Sequence, residues 1–210
     1  FSWRASLRKL MIVPFFRLVL LFSWGLLLVP LQWLCLKLRL PWQRSIPAFF
    51  HSGGLKILGV KVIVTGPPAP ERPLIVCASH VSWLDIPVLG SLFPLSFVSR
   101  ADVAEWPIAG VLAKLQRSIF IDRSRRSATR GATKDIAARL GAGEAIVIFP
   151  EGTTSDGNRV LPFRSSLLGA AQQAFAAEHH NAKIFVQPVC IRYRGVHGLP
   201  MGRVWLPYAA

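Results

Sequence analysis

Five positions separate a histidine from an aspartate in Ser79-His80-Val81-Ser82-Trp83-Leu84-Asp85. That pairing builds a general base: imidazole accepts a proton near neutral pH, and a carboxylate orients the ring and stabilises its charged form. On a regular helix, five steps would turn the two side chains about 140° apart. Asp85 also stands just ahead of Ile86-Pro87, where aspartate is a preferred N-cap and proline fits the first turn. Ser82 and Asp85 have capping-box spacing as well, and the capping and orienting roles can coexist. Three later segments carry further reactive or binding residue types: Phe120-Ile121-Asp122-Arg123, Phe149-Pro150-Glu151-Gly152-Thr153 and Gln187-Pro188-Val189.

Each segment has its own chemistry. The guanidinium of Arg123 is suited to grip a phosphate or carboxylate in a bidentate manner. It also reads as a solvated cation in a basic stretch with Arg125, Arg126 and Arg130, a surface suited to anionic headgroups or an acyl donor. Gly152, between Glu151 and Thr153, permits close backbone approach to a ligand. Pro188 is unusual for a central strand and marks either a shaped channel wall or an edge strand.

In this order, from about 73 to 193, the four segments resemble the glycerolipid acyltransferases. That family esterifies glycerol-phosphate and lysophospholipids with acyl groups from coenzyme A or acyl carrier protein. The resemblance implies that His80 removes the proton from the acceptor hydroxyl, Asp85 holds the imidazole, and Arg123, Glu151, Gly152 and Thr153 place the acceptor. Two departures stand out. Arg117 occupies a place commonly held by glycine, and Thr154 stands where the family usually has arginine, a role that Arg164 or Arg159 would have to supply.

The activity implied is transfer of a fatty acyl group from acyl-CoA or acyl carrier protein to the free hydroxyl of a lysolipid. The first expectation is 1-acyl-sn-glycerol-3-phosphate, giving phosphatidate in phospholipid biosynthesis. Glu-Gly-Thr-Thr-Ser-Asp-Gly resembles the branch that includes lyso-ornithine lipid acyltransferases, and a carboxylate acceptor needs less positive charge than a phosphate dianion. No metal and no cofactor are implied, the thioester being a co-substrate. A catalytically silent membrane-binding scaffold is the alternative of another class, but it leaves the joint presence of His80, Asp85, Arg123 and Glu151 unexplained.

Composition bounds the setting. The 210 residues carry a formal charge of +15 and are 52% hydrophobic, with a mean hydropathy of +0.42 and a pI of about 11.2. Such charge calls for an anionic partner, nucleic acid or membrane. The aromatics favour membrane over nucleic acid: Trp3, Trp24, Trp33 and Trp42 lie in or beside the uncharged run 18–36, with cations on both flanks, an interfacial composition. The run is about long enough to cross a ~30 Å hydrocarbon core. It reads as a kinked hairpin or re-entrant anchor broken near Pro30 and Pro41, or as a single span, at the cytoplasmic face of the inner membrane. It is too long for a signal peptide and lacks a cleavage site. Phe1 and the abrupt end at Ala210 read as the ends of a fragment.

Cys35, Cys77 and Cys190 have no metal or redox spacing, and His179-His180 reads as a solvated helix end. There is no Walker loop and no GxSxG elbow, and Gly141-Ala142-Gly143 reads as a helix C-cap turn.

The elements that must position these residues alternate. Short apolar runs at 74–78, 95–98, 118–121, 145–149 and 184–191 suit buried strands, and 60–64 also reads as a strand. Helical spacing covers 46–58, 86–92, 108–115, 127–140 and 165–177. The expected architecture is α/β, a mixed or mostly parallel sheet flanked by helices, with an anchoring segment over 1–45 and an acyltransferase domain over 46–210. In such a sheet His80 falls at a strand end, where ligands are presented.

Overall fold

The computed structural model describes residues 2–122, 126–157, 159, 161–163, 166–178, 183–196 and 199–200. Two compact units divide the chain, one made of Phe1–Val64 with Pro87–Phe93 and the other of Thr65–Ile86 with Pro94–Ala210.

In the first unit, α1 (Ser2–Lys37) continues through Pro14 and Pro30. The break expected near Pro30 is therefore absent: a proline removes one backbone donor, and a 36-residue helix absorbs that loss. The chain reverses instead over 38–45. Arg39 takes a left-handed φ of 53°, its N–H bonds Leu36 and the Leu40 N–H bonds Cys35. Pro41 then opens a short 3-10 turn, Pro41–Arg44, and α2 (Ile46–Leu58) runs back.

The cross-helix bonds show the antiparallel register. Arg17 donates to the Leu58 carbonyl at 3.2 Å, Trp24 to Phe50 at 3.1 Å and Gln32 to Gln43 at 3.0 Å. Arg17 thus satisfies one of the carbonyls that a helix end leaves unpaired. On α1, Phe15, Phe16, Leu18, Phe22, Leu26 and Leu27 are each more than 60% exposed, and Ile12–Lys37 is long and apolar enough to cross a membrane.

The strand expected at 60–64 does not form. Gly59, at φ 77°, ends α2 in a left-handed cap, and the Val60 N–H is spent on Leu55 at 2.8 Å, which closes the helix end. The alternation at 60–64 finds no ladder to join.

The second unit is built on five strands: β1 (Leu74–Ala78), β2 (Ser96–Arg100), β3 (Ile119–Ile121), β4 (Ala145–Ile148) and β5 (Phe185–Val189). All pair in parallel, in the order β3-β2-β4-β1-β5. The helices between them in the chain are α3 (Asp85–Gly90), which from Pro87 on belongs to the first unit, and α4 (Ala109–Leu115), α5 (Arg126–Gly141) and α6 (Ser166–Glu178). These match the expected runs to within about two residues at most ends. Parallel strands need crossovers, so every strand's C-terminal end falls on the same edge of the sheet.

One face of the sheet packs on α5 and α6 through Ile75, Ile119, Ile121, Ile146 and Ile148 against Ala132, Ile136, Leu140 and Phe175. Alternate residues Leu74, Val76, Phe97 and Val147, on the other face, are buried too, as near-continuous apolar strands require. β5 is the exception: it lies at the sheet edge and is largely exposed. Pro188 is therefore an edge-strand proline, in the position where a missing donor is tolerated.

The α1–α2 packing can be tested at Gly53, where a Cβ would lie 2.6 Å from Trp24 Cε2. Gly53→Ala is expected to destabilise the helix pair by about 1–3 kcal/mol, the usual range for overpacking. A lower Tm in detergent would register it; an unchanged Tm would mean that α2 does not pack on Trp24.

Candidate active site

β1 ends at Ala78 and the chain turns through Ser79 to Leu84 before α3 begins. Two local features shape that turn. The Ser82 hydroxyl accepts the Leu84 N–H at 3.1 Å, and the Asp85 carboxylate reaches back to the Ser82 N–H at 2.9 Å. The carboxylate half is that of the capping box the spacing implies, while the hydroxyl takes the N–H of Leu84 in place of that of Asp85, which bonds the Ser82 carbonyl. Folding the turn this way brings Asp85 Oδ2 to 2.8 Å from His80 Nδ1, a contact that a straight helix would not allow.

Asp85 is completely buried, whereas the His80 side chain keeps 18% of its surface. A buried carboxylate is costly unless donors surround it, and here they do. Oδ2 accepts from His80, from Val81 N–H at 2.7 Å and from Ser82 N–H; Oδ1 accepts from the Tyr193 hydroxyl at 2.5 Å. Burial works to raise the Asp85 pKa, but the His80, Tyr193, Ser82 and Val81 donors outweigh it and hold the carboxyl below its ordinary value. With Asp85 ionised, His80 Nδ1 carries the donated proton. Among the described residues nothing bonds Nε2, which is then the lone-pair nitrogen.

The imidazole is also fixed from below. Phe149, at the end of β4, stacks on it with ring centroids 4.2 Å apart and an interplanar angle of 22°. After Phe149 the chain makes a tight turn: Gly152 takes φ 73° and its N–H bonds Phe149 at 3.1 Å. The loop then returns to the first segment, where the Ser155 N–H donates to the His80 carbonyl at 2.8 Å. Glu151 is 2% exposed. One of its oxygens accepts the Leu161 N–H at 3.3 Å; the other, Oε1, has no donor among the described residues.

The first and third segments are therefore joined around His80. Thr153 is exposed beside Gly152, and Arg159 is exposed in the same loop. Arg123 and Arg164 lie outside the described residues. The fourth segment contributes a clamp: Gln187 accepts the Ala69 N–H at 3.0 Å and donates to the Pro67 carbonyl at 3.3 Å, fixing 67–69 along β5.

Arg117 gives its departure a physical account. Its φ is 61°, a conformation that costs a residue with a Cβ about 1–2 kcal/mol and that glycine adopts freely. The arginine is held there by a 2.9 Å ion pair to Glu144 and by Arg139, which donates to its carbonyl.

Three contributors to the site escaped the sequence reading: Tyr193, Ser155 and the ring of Phe149 as a platform. Tyr193 is 108 positions from Asp85, and no local spacing marks it. Its one signal is rarity, since the chain has only two tyrosines.

Residues 61–192 match the Acyltransferase family, and the chain belongs to that family: it carries an acyltransferase domain. It is 45% identical over 183 residues to the lyso-ornithine lipid O-acyltransferase of Brucella abortus, covering 87% of this chain and 68% of the relative. It is 35% identical over 126 residues to the 1-acyl-sn-glycerol-3-phosphate acyltransferase of Neisseria gonorrhoeae, covering 59% of this chain and 49% of that one. The crystal structure of the 1-acyl-sn-glycerophosphate acyltransferase PlsC from Thermotoga maritima shares the fold, with a TM-score of 0.51 at 18% identity over 79% of this chain and 82% of that one.

The lowered Asp85 pKa makes stability pH-dependent with a definite sign. Unfolded, this carboxyl binds its proton at a higher pH than when folded, so its contribution is complete above the ordinary carboxylate value of ~3.9. It is lost as pH falls from there through the lower folded value. Wild-type Tm is therefore expected to drop over that acid window, and to drop less in Asp85→Asn; equal slopes would contradict a stabilised Asp85 anion.

Proposed function

We propose that this domain transfers a fatty acyl group from a thioester to the free hydroxyl of a lyso-ornithine lipid, with His80 as general base. The observation that carries the reading is the His80 ring, with Nδ1 on a buried carboxylate and Nε2 unbonded among the described residues. Nε2 takes the acceptor's hydroxyl proton as the oxygen attacks the thioester carbonyl. The tetrahedral intermediate collapses, the C–S bond breaks, and the departing thiolate recovers the proton from the imidazolium. The products are an ester and a free thiol. Asp85 stabilises the transient imidazolium, and no cofactor is needed beyond the acyl donor, either acyl-CoA or acyl carrier protein.

Two observations support an ornithine-containing acceptor. The higher identity and wider coverage fall on the lyso-ornithine lipid relative. Thr154 also stands where the family usually has arginine, and a carboxylate acceptor needs less positive charge than a phosphate dianion. Arg123, Gly152, Thr153 and Arg164 are assigned to the acceptor's carboxylate and neighbouring polar groups. The Neisseria relative favours 1-acyl-sn-glycerol-3-phosphate as the second reading.

The apolar helix supports a membrane location, which we assign to the cytoplasmic face of the inner membrane with its anionic lipid. Ile12–Lys37, at about 1.5 Å per residue, exceeds the hydrocarbon thickness, and α2 returns along it. A lysolipid acceptor resides in a leaflet, so an enzyme held there meets it without carrying it through water.

The reaction is tested with a membrane fraction, a labelled acyl thioester, and lyso-ornithine lipid and lysophosphatidate offered separately. Product from lyso-ornithine lipid, reduced about 10²–10⁴-fold in His80→Ala as expected for loss of a general base, would support the reading. Product from lysophosphatidate alone would move the acceptor to the second. For the anchor, tags at the two ends of the α1–α2 hairpin should show the same protease accessibility in sealed vesicles; opposite accessibility would make α1 a single span.

A further inference from the structure

Val189, the last residue of β5, lies opposite Ala78, the last residue of β1. Past the ladder, the two chains stay together: the Ser79 N–H donates to the Val189 carbonyl at 3.3 Å, and the Ile191 N–H donates to the Ser79 hydroxyl at 3.4 Å. This extension runs beside the turn that carries His80 and delivers Tyr193 to Asp85, where its hydroxyl sits 2.5 Å from Oδ1. The family match ends at residue 192, one position short of it.

We propose that Tyr193 is a positioning residue for the His80–Asp85 pair, acting through Asp85 and not on the substrate. This inference rests on the base role assigned to His80. The division of labour between the carboxylate oxygens supports it. Oδ2 is filled by His80 and two backbone N–H groups, while Tyr193 is the donor on Oδ1. The two oxygens turn together about the Cβ–Cγ bond, so a donor on either one resists that rotation. A donor on Oδ1 adds to that resistance and keeps Oδ2 aimed at Nδ1. It also draws charge from the carboxylate, so Asp85 competes less strongly for the proton on Nδ1.

The phenol is suited to donate and not to ionise: burial, then the hydrogen bond and charge of Asp85, push its pKa well above the ordinary tyrosine value. Tyr193 is thus a fixed O–H donor at any working pH. Tying the pair to the end of β5 also makes the competence of the base depend on correct pairing of the edge strand.

The variants are Tyr193→Phe, which removes only the hydroxyl, and 3-fluorotyrosine at 193, which keeps the ring and strengthens the donor. With the acceptor that the wild type uses, Tyr193→Phe should lower kcat about 10-fold or more, by analogy with the losses seen when partners that orient metal-ligating side chains are removed, with KM within about twofold. Its kcat/KM profile should lose activity on the acid side at a higher pH, because an Asp85 without the Tyr193 donor holds the imidazolium more tightly. The fluorinated protein should shift the opposite way. In an Asp85→Asn background, Tyr193→Phe should add little further loss, as coupled residues do.

A readout independent of acyl transfer separates this inference from the reaction assigned above. The pH midpoint for carbethoxylation of His80, followed by peptide mass, should rise in Tyr193→Phe even if neither lysolipid is a substrate. Unchanged kcat, pH profile and midpoint would overturn the proposal. So would a rise in KM at constant kcat, which would make Tyr193 an acceptor contact. If Tyr193→Phe loses its folded Tm, the fluorinated protein decides: a shift in the stated direction supports the proposal and no shift overturns it.

Discussion

A carboxylate with no exposed surface has to be surrounded by donors, and most of what is distinctive here follows from surrounding Asp85. No single element supplies enough of them. His80 and two backbone N–H groups come from the turn after β1, and the phenol comes from the extension of β5. The energetic demand of one buried anion thereby couples the local capping turn to the pairing of two strands. The arrangement that lowers the Asp85 pKa is the same one that occupies His80 Nδ1 and, among the described residues, leaves Nε2 unbonded.

The parallel sheet makes this assembly possible at small cost in chain. Because all five strands point the same way, the segments after β1, β3, β4 and β5 emerge at one edge. Phe149 then needs no special device to lie beneath the imidazole, and the loop beyond Gly152 needs only a left-handed residue to turn back to the His80 carbonyl. The edge position of β5 has its own logic. An edge strand tolerates Pro188, and the side chain of Gln187, not a further ladder, ties 67–69 beside it. The cap that takes the Val60 N–H closes α2, and among the described residues 60–64 joins no strand.

The helix pair solves a different problem. A long apolar helix with Phe15, Phe22 and Leu26 on its surface continues through Pro30 at the loss of one backbone donor. The reversal is placed where the sequence turns polar and basic, and both α1 and α2 end on left-handed residues, Arg39 and Gly59. Arg17 and Trp24 then spend their donors on backbone carbonyls of α2, which makes the pair a defined hairpin and not two loosely apposed segments.

Much of the protein was legible in the linear chain, for physical reasons that differ by feature. Five apolar runs of strand length between helical stretches determine an α/β sheet, because burial on both faces leaves a continuous hydrophobic signature. The His80–Asp85 spacing with Ser82 determines a capping turn, a matter of local hydrogen bonding. The order of the four segments marks the family. What depends on register lay beyond reach: that β5 is an edge strand, that 60–64 joins no strand among the described residues, and that Ser155 and Tyr193 join His80 and Asp85. Contacts across 75 and 108 residues arise from the order in which strands stack, and no local pattern encodes that order. The donor on Asp85 Oδ1 was therefore decided by the tertiary structure alone.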